Sequence, residues 1–354
     1  MIDRAEPLSD LLSRVRAAEW LALDTEADSL HAYPEKLCLI QISLPEADEL
    51  IDPLASLDLS ALLDALRGRE LILHGADYDL RLLRRAYGFV PESVFDTMVA
   101  ARLLGFSEFG LTHLVGELLG VHLEKGPQTA DWARRPLTMR MVAYARNDTR
   151  YLKPLADLLR AQLREKGRLG WHAESCARLV TDCAELRTAD PDQVWRVKGA
   201  DRLDRRGLAV LRELWNWRDS EAIAANTPPY FVLRHETLIE VADAAAQGKT
   251  VLPQLPPRFP LRRRDGLLAV VERALELPAS RWPQRNRASG HRPSIAEKRR
   301  HDVLRQRRDH RAAELGIDPT LIASRATLNS LASDWDKYQT DLMNWQRELL
   351  EPQT

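Results

Sequence analysis

Residues 1–55 carry short apolar runs of the kind that form strands, preceded by one amphipathic stretch. Apolar positions over Leu8–Ala17 recur with a helical period and predict a short helix. Three β-rich runs follow it: Trp20–Leu23, Leu37–Ser43 and Glu49–Ile51. The segments between these runs are short and contain Pro34 and Pro45, as hairpin connections do. The pattern therefore predicts three consecutive strands near the start of the chain.

From residue 59 onward, helical and extended patterns alternate. Helices are predicted over Leu59–Arg67, Asp77–Tyr87, Thr97–Leu104 and Leu111–Leu119, and strands over Glu70–Leu73 and Ser93–Phe95. Three early strands followed by alternating helix and strand indicate a mixed α/β sheet. Gly126-Pro127 interrupts the chain, and from Leu137 to about Arg187 almost every position fits a helix.

The second half of the chain is predicted to be all-helical and divided in two. Pro191, Gly199 and mixed charges interrupt the apolar periodicity between Thr188 and Gly207, which indicates a domain boundary. The predicted helices are Leu208–Ala225, Thr237–Ala246 and Leu267–Leu277, and the proline-rich segment Leu252–Pro260 is predicted to be a loop. A second linker is predicted from Pro278 to Pro293, followed by helices over Ile295–Leu350.

The composition is that of a globular chain. Of 354 residues, 45% are hydrophobic and 29% are charged, which excludes global disorder and indicates two or three domains. No uncharged apolar run approaches the ~18–20 residues of a membrane span, so we expect no membrane partner. The charged N-terminal segment has no apolar signal-peptide stretch, and we expect a cytoplasmic location. Three cysteines without a Cys-x-x-Cys pair argue against disulfides and zinc, and we expect Cys176 and Cys183 in the core.

The net charge of −1 conceals an asymmetry between the two halves. Residues 1–190 carry a net charge of −7, and residues 191–354 carry +6. The strongest basic cluster, over residues 281–311, contains eleven Lys and Arg against three Asp and Glu. Such asymmetry favours cation binding in the first half and polyanion binding in the second, although a solvated helix face would explain one charged run equally well.

Two carboxylates close to the first strand form the first candidate site. Asp24 and Glu26 lie two residues apart, directly after the predicted strand, so both side chains can project from one side of the chain. Clusters of oxygen ligands suit Mg²⁺ or Mn²⁺. An Asp-x-Glu pair also arises by chance, and alone it is a weak signal.

The second and third candidates lie at the start of one helix and within another. In the segment His74–Leu80, Asp77 could simply cap the helix, whereas Asp79 has less structural reason to be there. His74 is more readily explained as a hydrogen-bonding residue at a strand end than as a ligand. Tyr144 and Asp148 lie four residues apart and share a helical face, so a phenol could position a water near a metal-binding carboxylate. An exposed hydrogen-bonded pair is the alternative.

The order and spacing of these motifs resemble those of ribonuclease D, in the DEDD superfamily of 3′–5′ exonucleases with a tyrosine in the third motif. Asp24-Thr25-Glu26, His74–Leu80 and Tyr144–Asp148 are similar to the three motifs in turn, with Asp79 at the metal-binding position of the second and Asp77 as the alternative. The run Lys125–Trp132 with Arg135-Pro136-Leu137 also resembles the family. Further along, Leu208–Trp217, Asn226–Tyr230 and Glu236–Ala242 resemble the helicase-and-RNase-D C-terminal (HRDC) domain, and Ile295–Leu350 looks like a more diverged copy.

The resemblance implies an RNase H-like exonuclease domain over residues 1–190, a first HRDC domain over 205–280 and a second HRDC-like domain over 293–354. It implies two divalent ions, Mg²⁺ or Mn²⁺, held by Asp24, Glu26, Asp79 and Asp148, with Tyr144 orienting the attacking water. Hydrolysis at RNA 3′ ends would release 5′-mononucleotides, and the substrates in the family are mainly tRNA precursors. Neither a nucleotide cofactor nor an oligomer is expected. In the basic cluster, we expect RNA phosphates to contact Arg299, Arg300, Arg307 and Arg308.

The sequence bears on three alternatives to an exoribonuclease. A DNA exonuclease stays open, because no residue pattern here reads a 2′-hydroxyl and helicases carry similar helical domains. An inactive RNA-binding scaffold is disfavoured by the complete set of carboxylates. An NTP-driven motor is excluded, because the chain contains no Gly-x-x-x-x-Gly-Lys-Ser/Thr phosphate loop.

Overall fold

The computed structural model describes residues 1–124, 126–185, 190–285 and 293–351, which form two compact units. The first unit comprises residues 1–27, 37–185 and 293–351, and the second comprises residues 28–36 and 190–285. Three residues of the sequence patterns lie outside the described residues: Lys125 of the run Lys125–Trp132, and Arg287 and Arg292 of the basic cluster. Thr188 and part of the predicted linker Pro278–Pro293 also lie outside them.

The centre of the first unit is a five-stranded mixed sheet, as the sequence predicts. Its strands are β1 (Leu21–Ala27), β2 (Leu37–Leu44), β3 (Ala47–Ile51), β4 (Glu70–Leu73) and β5 (Ser93–Asp96), in the spatial order β3-β2-β1-β4-β5. The early hairpin strands β1, β2 and β3 pair antiparallel, whereas β4 pairs parallel to both β1 and β5. Strand β2 is buried along its whole length, and apart from Gln41 and Ser43 its residues are apolar.

Eight helices surround this sheet within residues 1–185: α1 (Ala5–Ala17), α2 (Ser60–Arg67), α3 (Asp77–Tyr87), α4 (Thr97–Leu104), α5 (Leu111–Leu119), α6 (Met139–Arg150), α7 (Leu152–Glu165) and α8 (Leu169–Ala184). The predicted bounds of α3, α4 and α5 are confirmed. Helix α1 begins three residues earlier than predicted, because its first turn is polar and includes Pro7, which an N-terminal turn tolerates. Cys176 and Cys183 on α8 are buried in an apolar cluster, which confirms the prediction.

The second unit is a small helical domain with its own apolar core. Its helices are α9 (Arg205–Ala225), α10 (Pro229–Val232), α11 (His235–Ala246) and α12 (Leu261–Leu275). The predicted start of the last helix at Leu267 is wrong by six residues. The first turn of α12 contains three consecutive arginines, which hide the apolar period, and Arg262 and Arg263 pair with Glu221 of α9.

Residues 293–351 form five further helices, which belong to the first unit. They are α13 (Ile295–Leu315), α14 (Pro319–Ile322), α15 (Arg325–Ser333), α16 (Trp335–Tyr338) and α17 (Asn344–Leu350). Their apolar side chains share one cluster with those of α4, α5 and α7. The buried Arg168 joins the two parts, because its guanidinium donates to the carbonyl oxygens of Leu103 and Leu315 at 2.7 Å each.

No helix among the described residues is long and apolar enough to cross a membrane.

Candidate active site

Asp24 and Glu26 lie inside β1, and the prediction that the strand ends before them is wrong. Ladder pairing continues past the apolar residues, with Asp24 opposite Gln41 and Glu26 opposite Leu39. The strand therefore continues to Ala27 through backbone hydrogen bonds that a hydrophobic pattern does not reveal. Alternation along the strand directs both carboxylates to one face, as the sequence predicts.

Helix α6 brings a third carboxylate to this face of β1. Asp24, Glu26 and Asp148 each offer an oxygen atom that lies within 4.8 Å of the others, and all three side chains are partly buried. Gln41 Nε2 donates to Asp24 Oδ2 at 3.1 Å and orients that carboxylate. A compact set of oxygen donors with no basic side chain among its members fits a divalent cation such as Mg²⁺ or Mn²⁺.

Asp79, in the first turn of α3, is the buried carboxylate of the second motif. Its Oδ1 accepts hydrogen bonds from the Thr25 backbone nitrogen at 3.0 Å and from the Thr25 hydroxyl at 2.5 Å. The alternative residue, Asp77, has a side chain that is 59% exposed and pairs with Arg81 on the same helix. Asp79 is therefore the residue that α3 turns toward β1.

Burial raises the pKa of Asp79 and of the three clustered carboxyl groups, and repulsion from neighbouring carboxylates adds to it at Asp24, Glu26 and Asp148. Burial, followed by the charges of Asp79 and Asp148, holds the pKa of Asp24 well above its usual range. Burial and the same neighbours raise the pKa of Glu26 to about 9. Burial raises the pKa of Asp148 to about 7 and that of Asp79 to about 6. Asp24 and Glu26 therefore retain protons at neutral pH, and Asp148 titrates near it, unless a cation compensates their charge.

Tyr144 precedes Asp148 by one turn of α6, and its phenol lies beside the cluster. It hydrogen-bonds to Asp148 and Gln128. Burial and the charge of Asp148 raise the pKa of the phenol, so the group stays protonated. The backbone of Gly126 passes so close to the ring that a Cβ atom there would lie 1.5 Å from Tyr144 Cδ2. Only glycine allows this approach, which holds the ring in place.

The run upstream of the third motif is anchored to the sheet. The Arg135 guanidinium donates to both carboxylate oxygens of Asp52 at 2.6 Å and to the Cys38 carbonyl at 2.7 Å. Trp132 is buried, and its ring centroid lies 6.1 Å from that of Tyr144. This segment therefore places the buried Trp132 ring beside Tyr144.

His74 forms a hydrogen bond at the end of β4, in agreement with the structural interpretation of the sequence. Its Nδ1 lies 2.9 Å from the Thr97 hydroxyl, which in turn donates to the Leu73 carbonyl. Beside it, Asp96 accepts hydrogen bonds from four backbone nitrogens, those of Gly75, Ala76, Met98 and Val99. Sequence reasoning missed Asp96, although its position before a predicted helix is a capping signal.

A cavity of about 980 Å³ opens onto the cluster. Asp24, Tyr144 and Asp148 line it together with His74, Gly126 and Gln128, and residues 107–113 supply another part of its wall. Sequence reasoning missed this last segment, which comprises part of the loop between α4 and α5 and the first turn of α5. None of the described residues that line the cavity is a lysine or an arginine.

The four arginines predicted to contact RNA all lie on α13. Three of them bond backbone carbonyls of the neighbouring helices: Arg300 Nε donates to Ala332 at 2.7 Å, Arg307 Nη1 to Leu350 at 2.5 Å and Arg308 Nη1 to Ala323 at 3.0 Å. Arg299 is exposed. Arg300 and Arg307 retain further N–H donors, because arginine has five. Arg308 also donates to Asp309 through Nε and Nη2, and its side chain is only 12% exposed.

Comparison with known proteins gives matches along almost the whole chain. A family model described as a 3′-5′ exonuclease matches residues 1–164, and the HRDC domain model matches residues 207–257. Ribonuclease D of Granulibacter bethesdensis is 32% identical over an alignment of 359 positions, which covers 99% of this chain and 90% of that protein.

Solved structures agree with the sequence matches. The crystal structure of Escherichia coli RNase D, described as an exoribonuclease involved in structured RNA processing, superposes with a TM-score of 0.75 at 29% identity over 100% of this chain and 92% of its own. The catalytic core of RRP6 from Trypanosoma brucei gives a TM-score of 0.65 at 28% identity, covering 77% of this chain and 79% of its own.

Proposed function

The chain belongs to the ribonuclease D family of 3′–5′ exoribonucleases, and we propose that it trims the 3′ ends of structured RNAs, mainly tRNA precursors. The observation that carries this proposal is the cluster of Asp24, Glu26 and Asp148, with the protonated Tyr144 phenol beside it and a cavity open in front of it.

Asp24, Glu26, Asp79 and Asp148 would hold two divalent ions, Mg²⁺ or Mn²⁺. The raised pKa values of these groups support the assignment. A bound cation would offset both the cost of burying the carboxylate charges and the repulsion between them. When bound, such ions supply a lower pKa for the attacking water and stabilise charge on the leaving 3′-oxygen. Asp79 has a second task, since its hydrogen bonds to Thr25 fix the position of β1 against α3.

Tyr144 would orient the water that attacks the terminal phosphodiester. Its raised pKa means that it donates a hydrogen bond and does not act as a base. Water adds to phosphorus, the bond to the 3′-oxygen breaks, and that oxygen receives a proton. The products are a 5′-mononucleotide and an RNA that is one nucleotide shorter.

We further propose that the chain has three domains: an exonuclease domain over 1–190, a first HRDC domain over 205–280 and a second, HRDC-like domain over 293–354. We assign RNA phosphate contacts on the last of these to Arg299, Arg300, Arg307 and Arg308. The three cysteines are buried and form no disulfide, which suits a cytoplasmic location.

Incubation with a 3′-extended tRNA and with a DNA of the same sequence, in Mg²⁺ or Mn²⁺, tests the function. We expect release of 5′-mononucleotides from the RNA 3′ end and at least tenfold slower release from DNA. Equal rates on both would favour the DNA exonuclease. RNA binding without cleavage in either metal would favour the inactive scaffold.

A further inference from the structure

The wall of the cavity that faces the carboxylate cluster includes an exposed aromatic residue. Residues 107–113 line the cavity together with Asp24, Tyr144 and Asp148, and Phe109 is the one phenylalanine among the described lining residues. Its side chain remains 36% exposed. The ring therefore keeps part of its surface open in a wall of the cavity, where a ligand can contact it.

The loop around Phe109 holds the ring in a defined place. The guanidinium carbon of Arg102 lies 5.5 Å from the ring centroid, in cation–π contact. One residue before Phe109, the Glu108 carboxylate lies 3.0 Å from His113 Nδ1, and the other nitrogen of that imidazole lies 2.9 Å from Glu117. The segment that carries the ring is therefore tied to α4 and to α5, and little freedom is left to lose on binding.

The charges in the cavity show which part of a nucleotide this wall can bind. The described lining residues include three carboxylates, Asp24, Glu108 and Asp148, and no lysine or arginine. Among the described lining residues, His74 and His113 are the only basic groups, so a phosphate there would depend mainly on ions held by the cluster. The wall formed by Phe109, Gly110 and Leu111 is apolar and suits the flat face of a nucleobase.

We propose that Phe109 stacks on a nucleobase at the 3′ end of the RNA while the scissile phosphate lies at the carboxylate cluster. The inference rests on the proposed function, because it deepens the description of the same site. Every base has a π-face, so stacking would hold the end of the RNA without regard to its sequence. One such contact changes affinity by about 10- to 100-fold, which we expect to act on KM and to leave kcat nearly unchanged.

The experiment compares two RNAs that differ only in whether their last two nucleotides carry bases. Phe109→Ala should raise KM for the base-bearing RNA by about 10- to 100-fold, and Phe109→Trp should restore it. Phe109→Leu keeps an apolar side chain and removes the aromatic face, so its KM should rise as in the alanine variant. Because leucine still fills apolar volume, a raised KM in this variant would not be explained by a folding defect. Tyr87→Ala is the matched control, because Tyr87 is 39% exposed and lies outside the cavity lining.

The abasic RNA separates stacking from a general structural effect. Wild type and Phe109→Ala should cleave it with the same KM, because no base is present to stack. Equal losses on both RNAs, or no loss on either, would overturn the inference while leaving the exonuclease function intact. A wild-type protein that cleaves neither RNA would overturn the function itself, and the inference with it.

Discussion

The indole rings of Trp171 on α8 and Trp345 on α17 stack with their centroids 5.0 Å apart and their planes 15° apart. Next to this pair, Glu174 accepts hydrogen bonds from the first backbone nitrogens of α17, at 2.7 Å from Asn344 and 3.4 Å from Trp345. A carboxylate at a helix N-terminus also stabilises the helix dipole. The C-terminal helices are therefore packed onto the sheet-bearing part as a structural element of the first unit.

Trp345→Ala should lower the free energy of unfolding by about 3–5 kcal/mol, because it removes a large buried side chain from a core shared by residues distant in sequence. Chemical denaturation followed by circular dichroism measures the change. Val303→Ala is the control, since this exposed position on α13 should shift the free energy by less than about 0.5 kcal/mol. Equal, small effects at both positions would show that the C-terminal helices are not held by this contact.

Asp24→Asn and Asp148→Asn should each abolish cleavage, because both remove a ligand from the carboxylate cluster. The same substitutions should raise the melting temperature of the metal-free protein, since each removes a charge that burial and its neighbours disfavour. RNA binding should persist. Asp77→Asn, on the exposed face of the same helix as Asp79, should cleave within about twofold of wild type. Loss of cleavage in the Asp77 variant would indicate that Asp77, and not Asp79, is the metal-binding residue of the second motif.

Tyr144→Phe keeps the ring against Gly126 and removes only the hydroxyl group. If the phenol orients the attacking water, single-turnover cleavage should slow by about 10²-fold or more. Metal affinity, measured by calorimetry, should barely change, because the carboxylates stay in place. An unaltered cleavage rate would assign Tyr144 to packing.

The buried carboxyl groups of the site should make the metal-free protein less stable as pH rises. The folded-state pKa values of Asp79, Asp148 and Glu26 lie at about 6, 7 and 9, all above the unfolded values near 4. At these three groups the folded state therefore binds more protons than the unfolded state, and their contribution to the free energy of unfolding falls as pH rises from about 4 to about 9. Histidines whose pKa is lowered by burial, such as His172, contribute with the opposite sign.

Thermal melts between pH 5 and pH 9, with and without Mg²⁺, check this expectation. The stabilisation by Mg²⁺ should increase with pH, because the ion no longer has to displace protons from the carboxylates. In the Asp148→Asn variant the dependence on pH should be weaker. A pH dependence that is the same in the metal-free wild type and in Asp148→Asn would contradict the raised pKa of Asp148.

Replacing Arg299, Arg300, Arg307 and Arg308 by Gln should flatten the salt dependence of RNA binding. For single strands, log K falls against log salt with a slope of about −0.7 per phosphate contact, so four contacts correspond to about three units. Arg299→Gln alone should flatten the slope by about 0.7 without loss of stability, because the side chain is exposed. Arg307→Gln should also destabilise the fold, since it loses the bond to Leu350. If every variant has the same slope as the wild type, these arginines do not contact RNA phosphates, and their role is to bind α13 to the neighbouring backbone carbonyls.

Local pattern alone was enough for elements whose signals lie within a few residues. The helices Asp77–Tyr87, Thr97–Leu104 and Leu111–Leu119 were predicted to the residue, because glycines end them and an apolar period runs through them. The end of β1 was missed, since the ladder with β2 carries it past the apolar run. The start of α12 was missed because its first turn is held by Glu221, which is distant in sequence.

The sequence by itself determined which carboxylates and which tyrosine to consider, because their types and order are properties of the chain. It left Asp77 and Asp79 as alternatives, and only the tertiary structure separated them, by placing Thr25 against one and solvent against the other. Tertiary structure alone also joined residues 293–351 to the first unit and brought Phe109 into the same cavity as Asp148. The physical reason is the same in each case. Burial, carboxylate pKa values and cavities depend on contacts between residues that are far apart in the sequence, and local periodicity carries no information about such contacts.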